Sequence, residues 1–64
     1  MTILVNGETQ PLASDVAALL QRMGLADAVV ATALNGRFVA VSERPATCLQ
    51  PGDRVEVLAP MQGG

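Results

Sequence analysis

Few groups in this 64-residue chain are equipped for chemistry. They are the carboxylate of a terminal Gly63-Gly64 pair, the thiol of Cys48, six Asp and Glu side chains and four arginines. Histidine is absent, which removes the commonest general base and the commonest metal ligand. Lysine is absent too, and no G-x-x-x-x-G-K-[ST] loop is present to cradle a nucleotide phosphate. A chain so poor in catalytic groups is better suited to being acted upon than to acting, so the sequence predicts a protein that is not itself an enzyme and binds no cofactor or metal.

The terminal carboxylate is the most reactive of these groups once activated. Its ordinary pKa is about 3.3–3.7, so at neutral pH it is an anion and a poor electrophile. Accepting a nucleophile requires prior phosphoryl or adenylyl transfer, which a separate enzyme must supply. A frayed end or a cloning scar would also explain two terminal glycines. The residues before them argue for a delivery arm instead. Pro60 stops a strand, nothing large and apolar follows Met61, and five extended residues span about 16–18 Å. Met61, Gln62 and Gly63 would give access, glycine lacking the Cβ that a narrow slot excludes, and Gly64 would carry the reacting group. This divides the chain into a body, 1–59, and a flexible tail, 60–64.

Cys48 has no histidine to activate it. A lone cysteine is more often a small buried hydrophobe than a nucleophile or persulfide carrier, so packing is the expectation here. Arg22, Arg37, Arg44 and Arg54 are scattered along the chain and are expected to solvate its surface.

The body must be one small domain. A chain of this length buries only about 60% of the surface its unfolded form exposes. Half of its residues are hydrophobic, yet Phe38 is its one aromatic residue, so the core must be aliphatic. One cysteine excludes an internal disulfide framework. The N-terminal "MTILVNGETQ" lacks the pattern of a signal peptide, and no apolar run approaches the roughly 20 residues that cross a bilayer. A cytoplasmic protein is expected, with no membrane partner. The net charge of −2 and the scarcity of aromatics argue against nucleic acid.

Two Asn-Gly pairs punctuate the chain. "ILVNGETQPL" reads as a hairpin with a type I′ turn at Asn6-Gly7, and Pro11 assigns its returning strand to a sheet edge. "AVVATALNGRFVAVSE" reads as a second strand pair around Asn35-Gly36. Between them, Val16, Leu19, Leu20 and Met23 fall at i, i+3, i+4 and i+7, one apolar helix face. Ser14 is the expected N-cap, Asp15 favours the helix dipole, and Gly24-Leu25 fits a Schellman end. The segment from Ser42 to Leu49 is irregular with a short helical turn. A Pro51-Gly52-Asp53 turn then leads to a final strand, Arg54 to Ala59. The fold class is α+β: a mixed sheet of about four to five strands with one main helix on one face.

One helix covers one face of a sheet. With Ile3, Val5, Val55 and Val57 turned to the helix, Leu4 and Leu58 point to the open face, and Phe38 joins them, since Val39 and Val41 take the opposite parity. A contiguous apolar patch there, next to Pro60, would be a partner interface.

"ALNGRFVAVSE", "LQPGDRVEVLAPMQGG" and the opening strand-turn-strand together resemble the ThiS family, the small sulfur carriers of thiamine biosynthesis, over the whole chain. Where that family often has Val-Pro-Arg after the Asn-Gly turn, this chain has Val39-Ala40-Val41. The resemblance implies the ubiquitin-like β-grasp fold. It also implies three partners: an ATP-dependent adenylating enzyme of the ubiquitin-activating type, a persulfide sulfur donor and thiazole synthase. ATP and magnesium would be used by the activating enzyme. Gly64 would be adenylated and converted to a thiocarboxylate that donates sulfur to the thiazole ring.

Three other readings use the same features. The small subunit of molybdopterin synthase shares the fold and the Gly-Gly end but is usually longer. A ubiquitin-like modifier would use the tail to form isopeptide bonds. A binding module would act through the open face alone, its tail inert.

Overall fold

The computed structural model describes residues 1–59. Five strands and a helix follow in the expected order. These are β1 (Thr2–Val5), β2 (Glu8–Pro11), α1 (Val16–Arg22), β3 (Ala31–Leu34), β4 (Arg37–Val39) and β5 (Arg54–Leu58), with a 3-10 helix, Val41–Ala46, before β5. Both Asn-Gly pairs make the predicted tight turns, with φ of 51° and 83° at Asn6-Gly7 and again at Asn35-Gly36. The hairpins they close pair antiparallel, β1 with β2 and β3 with β4.

The sheet order is β2-β1-β5-β3-β4. β5 therefore lies in the middle, parallel to β1 and antiparallel to β3. β2 is an edge strand, which suits Pro11, a residue with no N–H to donate.

α1 starts one residue later than expected. Asp15, not Ser14, is the N-cap, with its carboxylate accepting from the Ala18 N–H at 2.7 Å. The chain just before the helix is held extended against residues 47–49. Leu49 donates to the Ser14 carbonyl, and Val16 donates to the Thr47 carbonyl. Those bonds prevent the first turn from winding back to Ser14 and satisfy one of the helix's free N–H groups. At the other end Leu25 N–H bonds to the Leu20 carbonyl and Gly24 N–H to the Gln21 carbonyl. With φ of 76° at Gly24 this is the predicted Schellman end.

Ile3, Val5, Val55 and Val57 meet Val16, Leu19 and Leu20 in an aliphatic core, with Ala13 and Leu49 closing it and Met23 and Leu25 packed against its rim. Phe38 stays outside it.

Two side chains depart from expectation. Cys48 is exposed, because Leu49 takes the inward position at that point of the chain. Arg44 is 6% exposed rather than solvating the surface. Its Nε donates to Thr32 Oγ1 at 3.1 Å and its Nη2 to the Val30 carbonyl at 2.6 Å, and the Thr32 hydroxyl donates onward to the Val39 carbonyl. This buried chain of bonds ties the 3-10 helix to β3 and β4. Its acceptors are neutral oxygens, which hydrate the guanidinium in place of water.

Candidate functional site

β5 carries the chain to the candidate site. Val55 and Val57 face the core, while Arg54, Glu56 and Leu58 face outward, the alternation a half-buried strand requires. Leu58 is 61% exposed and stands opposite Ala31. Phe38 is 73% exposed and stands opposite Ala33 on the same face. The small side chains of β3 thus lie between two large apolar ones, giving one uncovered apolar area beside the end of β5. Val39 is buried with the opposite parity, as expected, but Val41 has left the sheet for the 3-10 helix and is exposed there.

Leu4 does not join that area. It pairs with Arg54, four residues down β5 from Leu58 and so about 13 Å away. Glu56 lies between them on the same face. Leu4 instead lines a shallow hollow with Asn6, Gly7, Gly36, Arg54 and Glu56, on the outward face of β5 between the two Asn-Gly turns. The expected interface therefore divides into an apolar part, Leu58 and Phe38, and a mixed part around Leu4. Pro60, Met61, Gln62, Gly63 and Gly64 lie outside the described residues.

The end of β5 is held by Asn6, whose side chain does more than the tight turn requires. The Asn6 side chain accepts from the Val57 N–H at 2.8 Å and donates to the Val57 carbonyl at 3.1 Å. Asn35 does the like at the start of the strand. Its Oδ1 accepts from the Arg54 N–H at 2.9 Å, and its Nδ2 donates to Asp53 at 3.1 Å. The signal available in the sequence was the choice of Asn over Asp or Gly at both turns, since Asn alone among them brings both a donor and an acceptor.

Among the described residues no group of three or more His, Cys, Asp or Glu side chains is placed to hold a metal. No helix among them is long and apolar enough to cross a membrane.

A mixed five-stranded sheet with one helix across one face and the other face open is the ubiquitin-like β-grasp architecture. Within it the chain belongs to the ThiS family, whose family model matches residues 3–64. ThiS-family proteins are small carriers. The crystal structure of a thiamine biosynthesis protein (ThiS) from Geobacter metallireducens is 35% identical, with a TM-score of 0.83 and all of both chains covered. The NMR solution structure of a thiamine biosynthesis protein from the same organism is 33% identical, with a TM-score of 0.77. It covers all of this chain and 88% of that one. A comparison with curated proteins gave no match.

Proposed function

We propose that this protein is a sulfur carrier for thiamine biosynthesis, with residues 60–64 as its delivery arm and Gly64 as the group that is loaded. The observation that carries the reading is the family match, which runs through the Gly63-Gly64 pair. Full-length coverage of a solved thiamine biosynthesis protein favours this pathway over the molybdopterin one.

In this reading the body docks on an ATP-dependent adenylating enzyme through the open face, with Leu58 and Phe38 as its apolar contacts. Both are large and exposed, and Leu58 is the last residue of β5, next to Ala59. The Gly64 carboxylate attacks the α-phosphate of magnesium-bound ATP, pyrophosphate leaves, and the acyl group becomes an electrophile. The terminal sulfur of a donor persulfide attacks that carbon and AMP leaves. A thiol then cleaves the S–S bond, taking the donor sulfur and leaving a thiocarboxylate on Gly64. Thiazole synthase takes the sulfur from there. The adenylating enzyme and the synthase supply the catalytic groups. This chain supplies a docking surface and a carboxylate on a side-chain-free end.

Intact mass spectrometry after incubation with the adenylating enzyme, ATP, magnesium and a persulfide donor tests the proposal. A shift equal to one oxygen-to-sulfur exchange, located at Gly64 and lost when Gly63-Gly64 is deleted, is expected. An unchanged mass, or an adduct to target lysines in its place, would refute it.

A further inference from the structure

The two Asn-Gly turns grip β5 at opposite ends. Asn35 holds Arg54, where the strand begins, and Asn6 holds Val57, one residue before it ends. The second grip replaces missing main chain. β1 ends at Val5, and its ladder to β5 makes its last backbone bond from the Asn6 N–H to the Val55 carbonyl at 2.9 Å. Beyond that point the hairpin turns away. The Val57 N–H and carbonyl face the place where a next β1 residue would have paired. The Asn6 amide fills it with one acceptor and one donor. The turn itself does not demand this, because Gly-Gly and Asp-Gly make type I′ turns as well.

We infer that Asn6 is a positioning residue for carboxylate transfer. It holds Val57 so that Ala59 leaves the sheet at one point, beside Leu58 on the docking face. The chemistry in this inference rests on the sulfur-carrier reading; the grip does not. Four residues lie between Ala59 and Gly64, each spanning at most about 3.3–3.6 Å, so the point at which Ala59 leaves the sheet limits where the reacting carbon can reach from the docked body. A misplacement of about 1 Å at a reacting centre can cost on the order of a hundredfold in rate.

Asn35→Gly is the built-in control, since it also keeps a type I′ turn and also removes a side-chain grip on β5, but at the end remote from Ala59. Two measurements on the full chain decide the matter. In amide exchange, Asn6→Gly should speed exchange at Val57 about tenfold relative to Asn35→Gly, the loss expected for one hydrogen bond. Asn6→Asp, which keeps the acceptor for the Val57 N–H, should restore protection there. In pyrophosphate release by the adenylating enzyme, Asn6→Gly should lower kcat at least about tenfold at nearly unchanged KM, while Asn35→Gly leaves kcat within about twofold of wild type. Equal exchange at Val57 in the two glycine variants would overturn the inference. So would equal kcat values, or a rise in KM alone, which would make Asn6 a docking contact. If wild-type protein released no pyrophosphate, the sulfur-carrier reading would fall and the exchange comparison would still decide the grip.

Discussion

The guanidinium of Arg44 donates to the hydroxyl of Thr32 across 3.1 Å, with both side chains buried. A cation is thereby kept inside a 64-residue domain by oxygens that carry no charge. Removing it should be costly because its partners stay behind. Arg44→Ala leaves the Thr32 hydroxyl and the Val30 carbonyl without this donor and opens a cavity, at about 2–4 kcal/mol. The core of a domain this size supplies only about 3–5 kcal/mol, so much of the variant should be unfolded at 37 °C. Arg44→Met combined with Thr32→Val removes both sides of the bond while keeping volume. It should be more stable than Arg44→Ala by at least about 1 kcal/mol. Urea denaturation of the single and double variants measures both numbers.

The helix of seven residues depends on its cap. Asp15→Ala removes the acceptor for the Ala18 N–H and should cost about 1 kcal/mol, a fall in Tm of roughly 4–8 °C for a domain of this size. Asp15→Ser, which can still cap, should recover most of it. Ser14→Ala, at the residue first expected to cap, should change Tm little. Thermal melts by circular dichroism separate the three.

Leu58 lies on the open face and should be dispensable for the fold. Leu58→Arg is expected to alter stability by less than about 0.5 kcal/mol. In the adenylation assay the same change should raise KM on the order of tenfold or more, because a charge would enter an apolar contact. Phe38→Arg should act the same way, and Leu4→Arg more weakly, given its distance from the apolar area.

Cys48 is exposed, so it should react with a thiol reagent in the native state as fast as after unfolding, apart from intrinsic reactivity. Cys48→Ser should change stability by less than about 0.5 kcal/mol. It should also leave sulfur loading at Gly64 intact. Loss of loading in that variant, with the fold preserved, would return Cys48 to the role of persulfide carrier.

What could be read in the chain beforehand was what short-range chemistry dictates. Asn6-Gly7 and Asn35-Gly36 marked their turns because few residues accept positive φ. Val16, Leu19, Leu20 and Met23 marked a helix face through spacing alone, and Val55 and Val57 marked the inward side of β5. The features that escaped depend on partners far along the chain. Nothing near Arg44 announces that Thr32 and the Val30 carbonyl will enclose it. Asn6 and Val57 are 51 residues apart. Leu4 shares a face with Leu58 by parity, as expected, but separation along the sheet depends on register, which alternation does not determine. Cys48 is exposed where packing was expected, because residue type sets only a tendency to be buried.

The central position of β5 has a consequence for how the protein is made. The β1–β2 and β3–β4 hairpins share no strand pairing of their own; β5 joins them. A lone hairpin is at best marginally stable in water. During synthesis α1 can cover the β1–β2 hairpin, but the β3–β4 hairpin gains a neighbouring strand only when residues 54–58 emerge. A ribosome that stalls early releases something unable to fold and open to proteolysis. A folded molecule has therefore been translated at least through β5.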